Sequence, residues 1–528
     1  MSLADEVRAW IADDVDPRAA AELRALLDGG DEAELADRFS APLMFGTAGL
    51  RGPMRAGPNG MNRTVVRRSA AGLAAWLSAH GTPGGLVVVG YDARHGSSAF
   101  AMDSAAIFAA AGFDARLMPG PLPTPVLACA VQRFGAAAGV MVTASHNPSR
   151  DNGYKVYAAD GAQLISPADR EIEAAIRAVP SARAIRLREQ DVSILDGSVV
   201  ADYVAAVADL VRPGPRELTV VYTALHGVGS ELLHKVFAAA GFATPIAVAQ
   251  QDQPDPDFPT LAFPNPEEPG ALDLALALAR DEHADIVIAN DPDADRCAVA
   301  VPLASGTWRT LRGDDVGVLL ADALLARGIR GTYATTIVSS SMLAAMARRH
   351  RVGYAETLTG FKWISRAAPD LVFGYEEALG YAVAPDLVRD KDGISAALLI
   401  AEFAASLKAA GSSLPQRLDE LAMEYGRYTT DQLSVRVDDL AVIAAMMRRL
   451  RGNPPRELLG FAIHLTDLWP EADVVRLSWP GGRVVVRPSG TEPKLKAYLE
   501  VIDPQGSAER TAELLARLRG EVSSLLFA

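Results

Sequence analysis

One arrangement recurs along the 528 residues and restricts the fold more than any other feature: a short apolar strand that ends in a loop of polar side chains. Because helical patterns separate the strands, we predict sheets of mainly parallel strands with helices on both faces. Loops at the carboxyl ends of such strands are where open α/β sheets bind ligands. The predicted strands are 86–90, 115–118, 138–142, 218–222, 284–289, 335–338 and 370–373.

A chain of this length predicts several domains rather than one core. The strand-and-loop unit occurs three times, so we expect three similar α/β domains with mixed or parallel sheets, each adding a loop to one central cleft. From about residue 430 the pattern changes to strands around a hairpin turn at 479–483 and a closing helix, which predicts a smaller C-terminal α+β domain. The predicted domains are residues 1–198, 199–305, 306–425 and 426–528.

Composition argues against several classes of protein. With 51 Lys and Arg against 65 Asp and Glu, the formal net charge is −14, which disfavours nucleic acid or an anionic membrane as a partner. The two cysteines, Cys129 and Cys297, are too few for a disulfide framework. The sequence has no signal-peptide pattern and no run of about 18 apolar residues, so we expect a cytoplasmic protein. No feature predicts an oligomeric state.

The loop at residues 143–148 follows an apolar strand and carries a candidate nucleophile, Ser145. His146 gives this hydroxyl a neighbour that can carry a proton. Two cations are candidates for the same site: Lys155, just past the loop, and Arg51, in a glycine-rich stretch that allows close approach of the backbone. The alternatives are an ordinary loop serine, a solvated lysine and a common glycine turn.

Asp291, Asp293 and Asp295 alternate in a tight turn after another predicted strand. Carboxylates this close raise one another's pKa unless a cation lies among them, and hard oxygen ligands favour Mg²⁺ or Ca²⁺. A calcium EF-hand does not fit, because Arg296 would replace its glycine and Pro302 its bidentate glutamate. We therefore predict a Mg²⁺ site, with a solvated acidic turn as the alternative.

Two later loops suggest binding of a sugar phosphate. Residues 487–494 could hold a phosphate dianion through side-chain donors and backbone N–H groups, although a polar loop after a hairpin is the alternative. Glu376 and Glu377 have no cation beside them in the sequence, so one of them could accept hydrogen bonds from sugar hydroxyls. The candidate phosphate ligands are Arg487, Ser489, Gly490, Thr491 and Lys494.

No phosphate-binding Gly-x₄-Gly-Lys-[Ser/Thr] or Gly-x-Gly-x-x-Gly motif is present, so nothing supports ATP or NAD as a cofactor. A nucleophilic hydroxyl, a divalent cation, a phosphate clamp and a polyol-facing carboxylate suit phosphoryl transfer to and from a sugar. Ser145 would carry the phosphoryl group between turnovers, with the cation bound to it. His146 or Lys155, aided by Arg51, could take the proton of the acceptor hydroxyl.

Four motifs, in this order, resemble the α-D-phosphohexomutases, the family that includes phosphoglucomutase and phosphomannomutase. They are residues 143–148, residues 291–296, the Glu376-Glu377 loop and residues 487–491. The resemblance implies four domains around one cleft, a phosphorylated Ser145, and Mg²⁺ bound by Ser145 and the three aspartates. It further implies substrate binding by Arg296 and the two later loops, and a sugar bisphosphate intermediate that turns around between two transfers. Closure of the fourth domain would exclude water.

The substrate is left open by a departure from the family pattern. Many members have a serine where this chain has Ala378, and residues 45–52, 359–363 and 390–393 resemble the branch of phosphoglucomutase-2-type and phosphopentomutase enzymes. We expect a mutase acting between positions 1 and 6 of glucose or mannose phosphate, with a ribose 1-phosphate/5-phosphate mutase as the alternative. Two other classes compete: an aspartyl-phosphate sugar phosphatase and a sugar-phosphate sensor without catalysis.

Overall fold

The computed structural model describes residues 2–46, 49–437, 440–489 and 494–527. Contacts divide the chain into two compact units. The first unit is Met1–Leu311 with Ala378–Ala409, and the second is Arg312–Glu377 with Ala410–Ala528.

The first domain begins with three helices and continues as alternating strands and helices. Side chains cap the leading helices: Ser2 accepts from the Asp5 N–H, and Asp16 accepts from the Arg18 N–H. The elements are α1 (Leu3–Asp13), α2 (Pro17–Gly29), α3 (Glu32–Arg38), β1 (Leu50–Pro53), α4 (Arg63–Ala79), β2 (Leu86–Tyr91), α5 (Ser97–Ala110), β3 (Asp114–Leu117), α6 (Thr124–Arg133), β4 (Ala138–Val142), β5 (Asp151–Ala158), α7 (Ala168–Arg177) and β6 (Ser193–Ile194).

The sheet of the first domain has the strand order β1-β5-β4-β2-β3-β6. β2, β3, β4 and β6 run parallel, as the alternating pattern predicts. β5 runs antiparallel to β4, and β1 antiparallel to β5, so the sheet is mixed. The sequence pattern does not predict β5. Turns at Asn147 and Asp151 return the chain along β4 and place Lys155 opposite Met141.

The second domain repeats the pattern with a mixed sheet of order β11-β10-β9-β7-β8. The strands β8, β7 and β9 are parallel. β10 pairs antiparallel with β9, and β11 pairs antiparallel with β10. The elements are α8 (Ser198–Ala208), β7 (Val220–Thr223), α9 (Ser230–Ala239), β8 (Ile246–Ala247), α10 (Asp273–Asp281), β9 (Ile286–Ala289), β10 (Ala298–Pro302) and β11 (Trp308–Thr310).

Residues 313–409 form the third set of elements, of which β15 and α14 belong to the first unit and the others to the second. In the second unit β13, β12 and β14 are parallel neighbours. In the first unit α14 is apolar along most of its length and is largely buried. The elements are α11 (Gly313–Ala326), β12 (Thr332–Thr336), α12 (Met342–His350), β13 (Gly353–Thr357), α13 (Phe361–Ile364), β14 (Leu371–Glu376), β15 (Gly380–Ala382) and α14 (Gly393–Ala409).

The C-terminal domain is a separate antiparallel sheet of order β16-β22-β21-β20-β19. Apolar side chains of α16 and α17 share one core with this sheet. The predicted hairpin is present, with Trp479 paired to Gly482. The helix α15 (Leu414–Tyr425) precedes this domain. The elements of the domain are β16 (Arg427–Arg436), α16 (Leu440–Gly452), β17 (Glu457–Leu458), β18 (Phe461–Ala462), β19 (His464–Asp467), β20 (Val475–Trp479), β21 (Gly482–Pro488), β22 (Lys494–Asp503) and α17 (Ala508–Phe527).

The predicted fold class, three α/β domains with mixed or parallel sheets and a smaller C-terminal α+β domain, is thus confirmed. The predicted domain boundaries and the shared cleft stay predictions. Among the described residues, no single helix is long and apolar enough to cross a membrane. The successive helices α14 and α15 meet those criteria only as a bent pair.

Asp103, on α5, joins α5 to α4 in the first domain. Arg63 and Arg67 each donate two hydrogen bonds to its buried carboxylate, over distances of 2.7–3.1 Å. Burial raises the pKa of this carboxyl, but the hydrogen bonds from the two arginines outweigh burial and lower the pKa below its ordinary value of 3.8.

We expect Asp103→Asn to lower the free energy of unfolding by about 2 kcal/mol at neutral pH, because a neutral amide cannot accept from two guanidinium groups. Since the pKa of Asp103 is lower in the folded state, its contribution is present above pH 3.8 and is lost as the pH falls through the folded pKa. Calorimetric unfolding at neutral pH and below pH 3.8 measures the difference. Asp114→Asn, which removes an exposed arginine pair, is the matched control. An equal loss at both pH values would contradict the prediction.

Candidate functional site

Ser145 lies in the loop that follows β4. Its N–H donates to Thr143 Oγ1 over 2.9 Å, and its φ of +52° lies in the left-handed region that residues other than glycine rarely adopt. The side chain is buried. Its hydroxyl donates to Asp291 Oδ2 over 2.7 Å and lies 3.1 Å from His146 Nδ1. The candidate nucleophile is therefore held beside a carboxylate in a conformation typical of functional sites.

The turn at residues 290–296, called the metal turn below, follows β9 and gathers the three aspartates. Asp291, Asp293 and Asp295 are each at most 1% exposed, and one carboxylate oxygen from each lies within 4.8 Å of the others. Ala294 has a left-handed φ of +52°, and the Arg296 N–H donates to Asp291 Oδ1 over 3.0 Å. These features turn the carboxylates toward one point inside the protein.

Donors from three other elements contact the aspartates. Lys155 Nζ, on β5, lies 2.7 Å from Asp293 Oδ2 and 3.0 Å from Asp295 Oδ2. Lys391 Nζ, from the segment before α14, lies 3.1 Å from Asp295 Oδ2. Thr124 Oγ1, at the start of α6, donates to Asp293 Oδ2 over 2.6 Å.

Thr124 and Lys391 are not among the site residues predicted from the sequence. Thr124 is 169 residues from its aspartate partner, and no local pattern points to that contact. For Lys391 a signal exists, since residues 390–393 form one of the segments that carry the family resemblance.

The aspartates could hold a metal ion. Asp293 Oδ1 and Asp295 Oδ1 are buried and have no hydrogen-bond partner among the described residues, although buried oxygens are nearly always paired. Burial and the charges of Asp295 and Asp293 raise the pKa of Asp291 well above its usual range. Burial alone would also raise the pKa of Asp295, but Lys155 and Lys391 lower it. A divalent cation among these hard oxygen ligands would remove the repulsion and occupy the unpaired oxygens.

Two glycines allow other backbone segments to lie against the metal turn. A Cβ atom at Gly227 would lie 2.2 Å from Pro292 Cα, and one at Gly393 would lie 2.2 Å from the carbonyl oxygen of Arg296. Neither distance can be relieved by moving a flexible side chain, because the atoms met are backbone atoms. The loop after β7 and the start of α14 therefore both support the metal turn.

Arg51 and Arg296 belong to the first unit, as do Ser145 and the three aspartates. Arg51, on β1, donates to Asn147 Oδ1 over 3.1 Å, so it contacts the loop that carries the candidate nucleophile. Arg296 Nε lies 3.9 Å from Asp291 Oδ2. The structure thus brings both predicted arginines to the loops that hold Ser145 and the aspartates.

The two candidate bases differ in charge. Burial, together with the cations Arg296 and Arg51, lowers the pKa of His146 well below its ordinary value, so its imidazole is neutral. Burial also opposes the charge on Lys155, but Asp293 and Asp295 outweigh it and raise the pKa of the ammonium. In this state His146 can accept a hydrogen bond or a proton, whereas Lys155 is a cation.

The second unit contains the remaining predicted residues. Glu376 ends β14, and the Glu377 carboxylate accepts hydrogen bonds from Thr336 Oγ1 and Ser339 Oγ, both over 3.2 Å. The backbone carbonyl of Ser339 accepts from Arg483, on β21. One serine therefore connects the glutamate loop to the C-terminal sheet.

The predicted phosphate loop is described only at its two ends. Arg487, near the end of β21, donates to the Tyr498 hydroxyl over 3.3 Å. The Ser489 N–H donates to the Lys494 carbonyl over 2.7 Å, which brings the two ends of the loop together. Gly490 and Thr491 lie outside the described residues.

Models of one protein family match the chain in four consecutive segments. The phosphoglucomutase/phosphomannomutase alpha/beta/alpha domains I, II and III match residues 42–183, 201–304 and 312–425. The C-terminal domain of the same family matches residues 433–518.

Individual proteins are similar over nearly the whole chain. A Haemophilus influenzae protein named "Probable phosphomannomutase" is 47% identical over 468 residues, covering 86% of this chain and 96% of that protein. A Mus musculus phosphopentomutase is 37% identical over 569 residues, covering 96% of this chain and 91% of that protein. A crystal structure from Thermus thermophilus, assigned as a phosphomannomutase, has a TM-score of 0.74 at 27% identity, covering 92% of this chain and 99% of its own.

We expect a divalent cation to stabilise the first unit through the metal turn. Addition of Mg²⁺, Mn²⁺ or Ca²⁺ to metal-free protein should raise the Tm in proportion to the logarithm of ion concentration above the Kd. Asp291→Asn should abolish this rise. In chelator the variant should be at least as stable as the wild type, because one of three repelling carboxylates is gone.

Thermal unfolding with chelator and with each ion tests this expectation, and Asp273→Asn, an exposed aspartate of the second domain, is the control. A Tm that rises equally in Asp291→Asn and in the wild type would place the ion elsewhere.

Proposed function

Because the chain belongs to the phosphoglucomutase/phosphomannomutase family, we propose that it moves a phosphoryl group between the 1- and 6-positions of a hexose phosphate. Glucose phosphate, mannose phosphate or both would be the substrate, and phosphorylated Ser145 and a sugar bisphosphate would be the intermediates. The observation that carries this proposal is the Ser145 hydroxyl, 2.7 Å from Asp291 Oδ2 at the edge of the buried aspartates. A nucleophilic oxygen beside a metal-binding group is what phosphoryl transfer requires.

The reaction consists of two transfers. In the first, a sugar hydroxyl attacks the phosphorus of phospho-Ser145, the bond from phosphorus to Ser145 Oγ breaks, and a sugar bisphosphate forms. The hydroxyl gives its proton to a base. After the sugar turns around, Ser145 Oγ attacks the other phosphate, and the leaving sugar oxygen takes the proton back. No inorganic phosphate is released, because the phosphoryl group passes from Ser145 to the sugar in the first transfer and from the sugar to Ser145 in the second.

We propose His146 or Lys155 as the base that takes the proton of the acceptor hydroxyl, aided by Arg51. His146 is neutral and 3.1 Å from Ser145 Oγ, so it can accept a proton at the reacting oxygen. Lys155 is a cation bound to two aspartates and can neutralise phosphoryl oxygens. Arg51 contacts the loop of the nucleophile and can add positive charge to the same oxygens.

Asp291, Asp293, Asp295 and an oxygen on Ser145 would hold Mg²⁺, which matches their hard oxygen ligands. When bound, Mg²⁺ supplies positive charge to the transferring phosphoryl group and lowers the pKa of the nearby Lys155 ammonium. Thr124 orients Asp293 by donating to its carboxylate, and the backbones at Gly227 and Gly393 keep the turn in place.

Residues on three loops would bind the sugar and its second phosphate. This requires the four domains to share one cleft, and the fourth domain to close over the sugar so that water does not hydrolyse phospho-Ser145. The proposed ligands are Arg296, Glu376, Glu377, Arg487, Ser489, Gly490, Thr491 and Lys494.

A hexose phosphate and a pentose phosphate are the two candidate substrates. The 47% identity to the Haemophilus influenzae protein supports a hexose, whereas the Mus musculus phosphopentomutase matches a larger share of this chain, 96% against 86%. Ala378 lacks the hydroxyl that many members of the family have at this position of the sugar loop. A ribose 1-phosphate/5-phosphate mutase is therefore the second candidate. We also propose a cytoplasmic location, which suits two buried cysteines that remain free thiols.

The first test is a coupled assay with Mg²⁺ and a trace of sugar bisphosphate, comparing glucose 1-phosphate, mannose 1-phosphate and ribose 1-phosphate. We expect isomerisation, and we expect Ser145→Ala to reduce kcat by at least about 10⁴-fold, because the phosphoryl carrier is lost. Ser149→Ala, in the same loop, is the matched control. The ranking of kcat/KM identifies the sugar.

Other outcomes separate the competing functions. Release of inorganic phosphate without isomerisation would indicate a phosphatase that uses the Asp291 loop. Binding of a sugar phosphate without any turnover would indicate a sensor.

Arg487→Ala should raise KM for the sugar phosphate roughly 10- to 100-fold, because hydrogen bonds to a charged group are lost. Arg487→Lys should recover only part of the loss, since a point charge replaces a planar fork. Steady-state kinetics measure both effects, with Arg456→Ala, an exposed arginine of the same domain, as the control. A KM that is unchanged in Arg487→Ala would exclude this residue from phosphate binding.

A further inference from the structure

The guanidinium group of Arg94 lies against the backbone of the Ser145 loop. Arg94 follows β2 in the first domain and is only 4% exposed. Its Nη2 donates to the carbonyls of Ser145 and Asn147, over 2.6 and 2.5 Å. Its Nη1 donates to the carbonyls of Pro148 and Asp151, over 2.7 and 3.1 Å. One side chain thus satisfies four carbonyl groups within seven residues of the loop.

The loop needs such support because its own backbone is unfavourable. Ser145 has a left-handed φ of +52°, which is strained for a residue with a side chain. Pro148 has no N–H, so the loop cannot form a regular ladder there. A planar guanidinium presents several N–H groups in a fixed geometry, whereas an ammonium presents three donors from one point. Arginine is therefore the residue type that can bind these four carbonyls at once.

Two side chains hold the guanidinium in place. Asp92 Oδ2 lies 3.4 Å from Arg94 Nε, and the other oxygen of Asp92 accepts from Ser97 Oγ over 2.6 Å. The centroid of the Phe258 ring lies 4.8 Å from the guanidinium carbon, within the range of a cation–π interaction. Phe258 is 3% exposed and belongs to the second domain, in the segment between β8 and α10. The second domain therefore contacts the arginine that supports the nucleophile loop.

We propose, on the basis of the function proposed above, that Arg94 is a positioning residue for Ser145 and that Phe258 clamps it from the second domain. The hydrogen bonds of the guanidinium go to backbone carbonyls of the loop, so Arg94 acts through the backbone. Phe258 orders the guanidinium, the guanidinium orders the loop, and the loop directs Ser145 Oγ toward the metal turn.

Kinetics test the positioning role. Arg94→Ala should lower kcat by at least about 100-fold, since a small displacement of a reacting group has an effect of this size. KM should change far less, because the proposed sugar ligands lie elsewhere. Guanidinium ions at millimolar concentration, well below denaturing levels, should restore part of kcat in Arg94→Ala, and Arg94→Lys should remain impaired. Phe258→Leu, which keeps an apolar side chain but removes the ring face, should lower kcat by a smaller factor.

Matched controls exist in the first domain. Arg116 also lies over a phenylalanine ring, that of Phe134, at 5.9 Å, and it pairs with Asp114. Arg116→Ala and Phe134→Leu should leave kcat near the wild-type value and should not respond to guanidinium. A proportional fall of Tm and kcat in Arg94→Ala, Phe258→Leu, Arg116→Ala and Phe134→Leu would show that Arg94 only stabilises the fold, and would overturn the positioning role.

Hydrogen–deuterium exchange provides a readout that does not depend on activity. In Arg94→Ala we expect faster exchange in peptides covering residues 143–151, with other peptides unchanged, and a return toward the wild-type rate on addition of guanidinium. Unchanged exchange in these peptides would overturn the inference even if the mutase assay succeeds. If the wild type has no mutase activity, the proposed function fails, while the exchange data still decide whether Arg94 orders the loop.

Discussion

Three carboxylates buried beside one hydroxyl are the constraint on which the first unit depends. Charges removed from water cost several kcal/mol each unless they are paired, so Asp291, Asp293 and Asp295 require compensation. It comes from Lys155 and Thr124 of the first domain and from Lys391 of the segment before α14. Because the partners come from separate parts of the chain, the metal turn links residues 378–409 to residues 1–311 within the first unit. Apolar packing of Leu379 against Leu272, Ala289 and Ala298 links the same segments.

The second unit has its own buried polar network, which joins the glutamate loop to the C-terminal sheet. Ser339 contacts Glu377 through its hydroxyl and Arg483 through its carbonyl. Nearby, burial raises the pKa of Asp314 to about 7, with a smaller contribution from the charge of Glu377. Apolar side chains contribute to the same contact, since Ile337 and Val338 pack against Val474, Val485 and Tyr498 of the C-terminal domain. The contact between the glutamate loop and this domain is therefore both polar and apolar.

The parts of the site that could be predicted from the sequence are those that follow an apolar strand directly. Ser145 and the three aspartates follow buried strands, and the structure places them together. Arg51 and Lys155 could be selected as nearby cations, but β5, which positions Lys155, could not be predicted, because it depends on pairing with β4. Thr124 and Arg94 were missed for the same physical reason. The partner of Thr124 is distant in sequence, and the partners of Arg94 are backbone carbonyls, which every residue has.

The sequence by itself determined the chemical groups and the family: a serine loop, an aspartate turn and two later loops predicted to bind a sugar phosphate, in a fixed order on a repeated α/β pattern. These properties follow from residue identity and short-range periodicity, both of which are present in the sequence. Only the tertiary structure decided that Ser145 donates to Asp291, 146 residues away, and that Arg94 donates to carbonyls of the Ser145 loop. It also decided that two aspartate oxygens have no partner within the described part of the chain. Those contacts form between loops that are far apart in the sequence. The distances between these loops are set by how the strands and helices pack, rather than by local sequence.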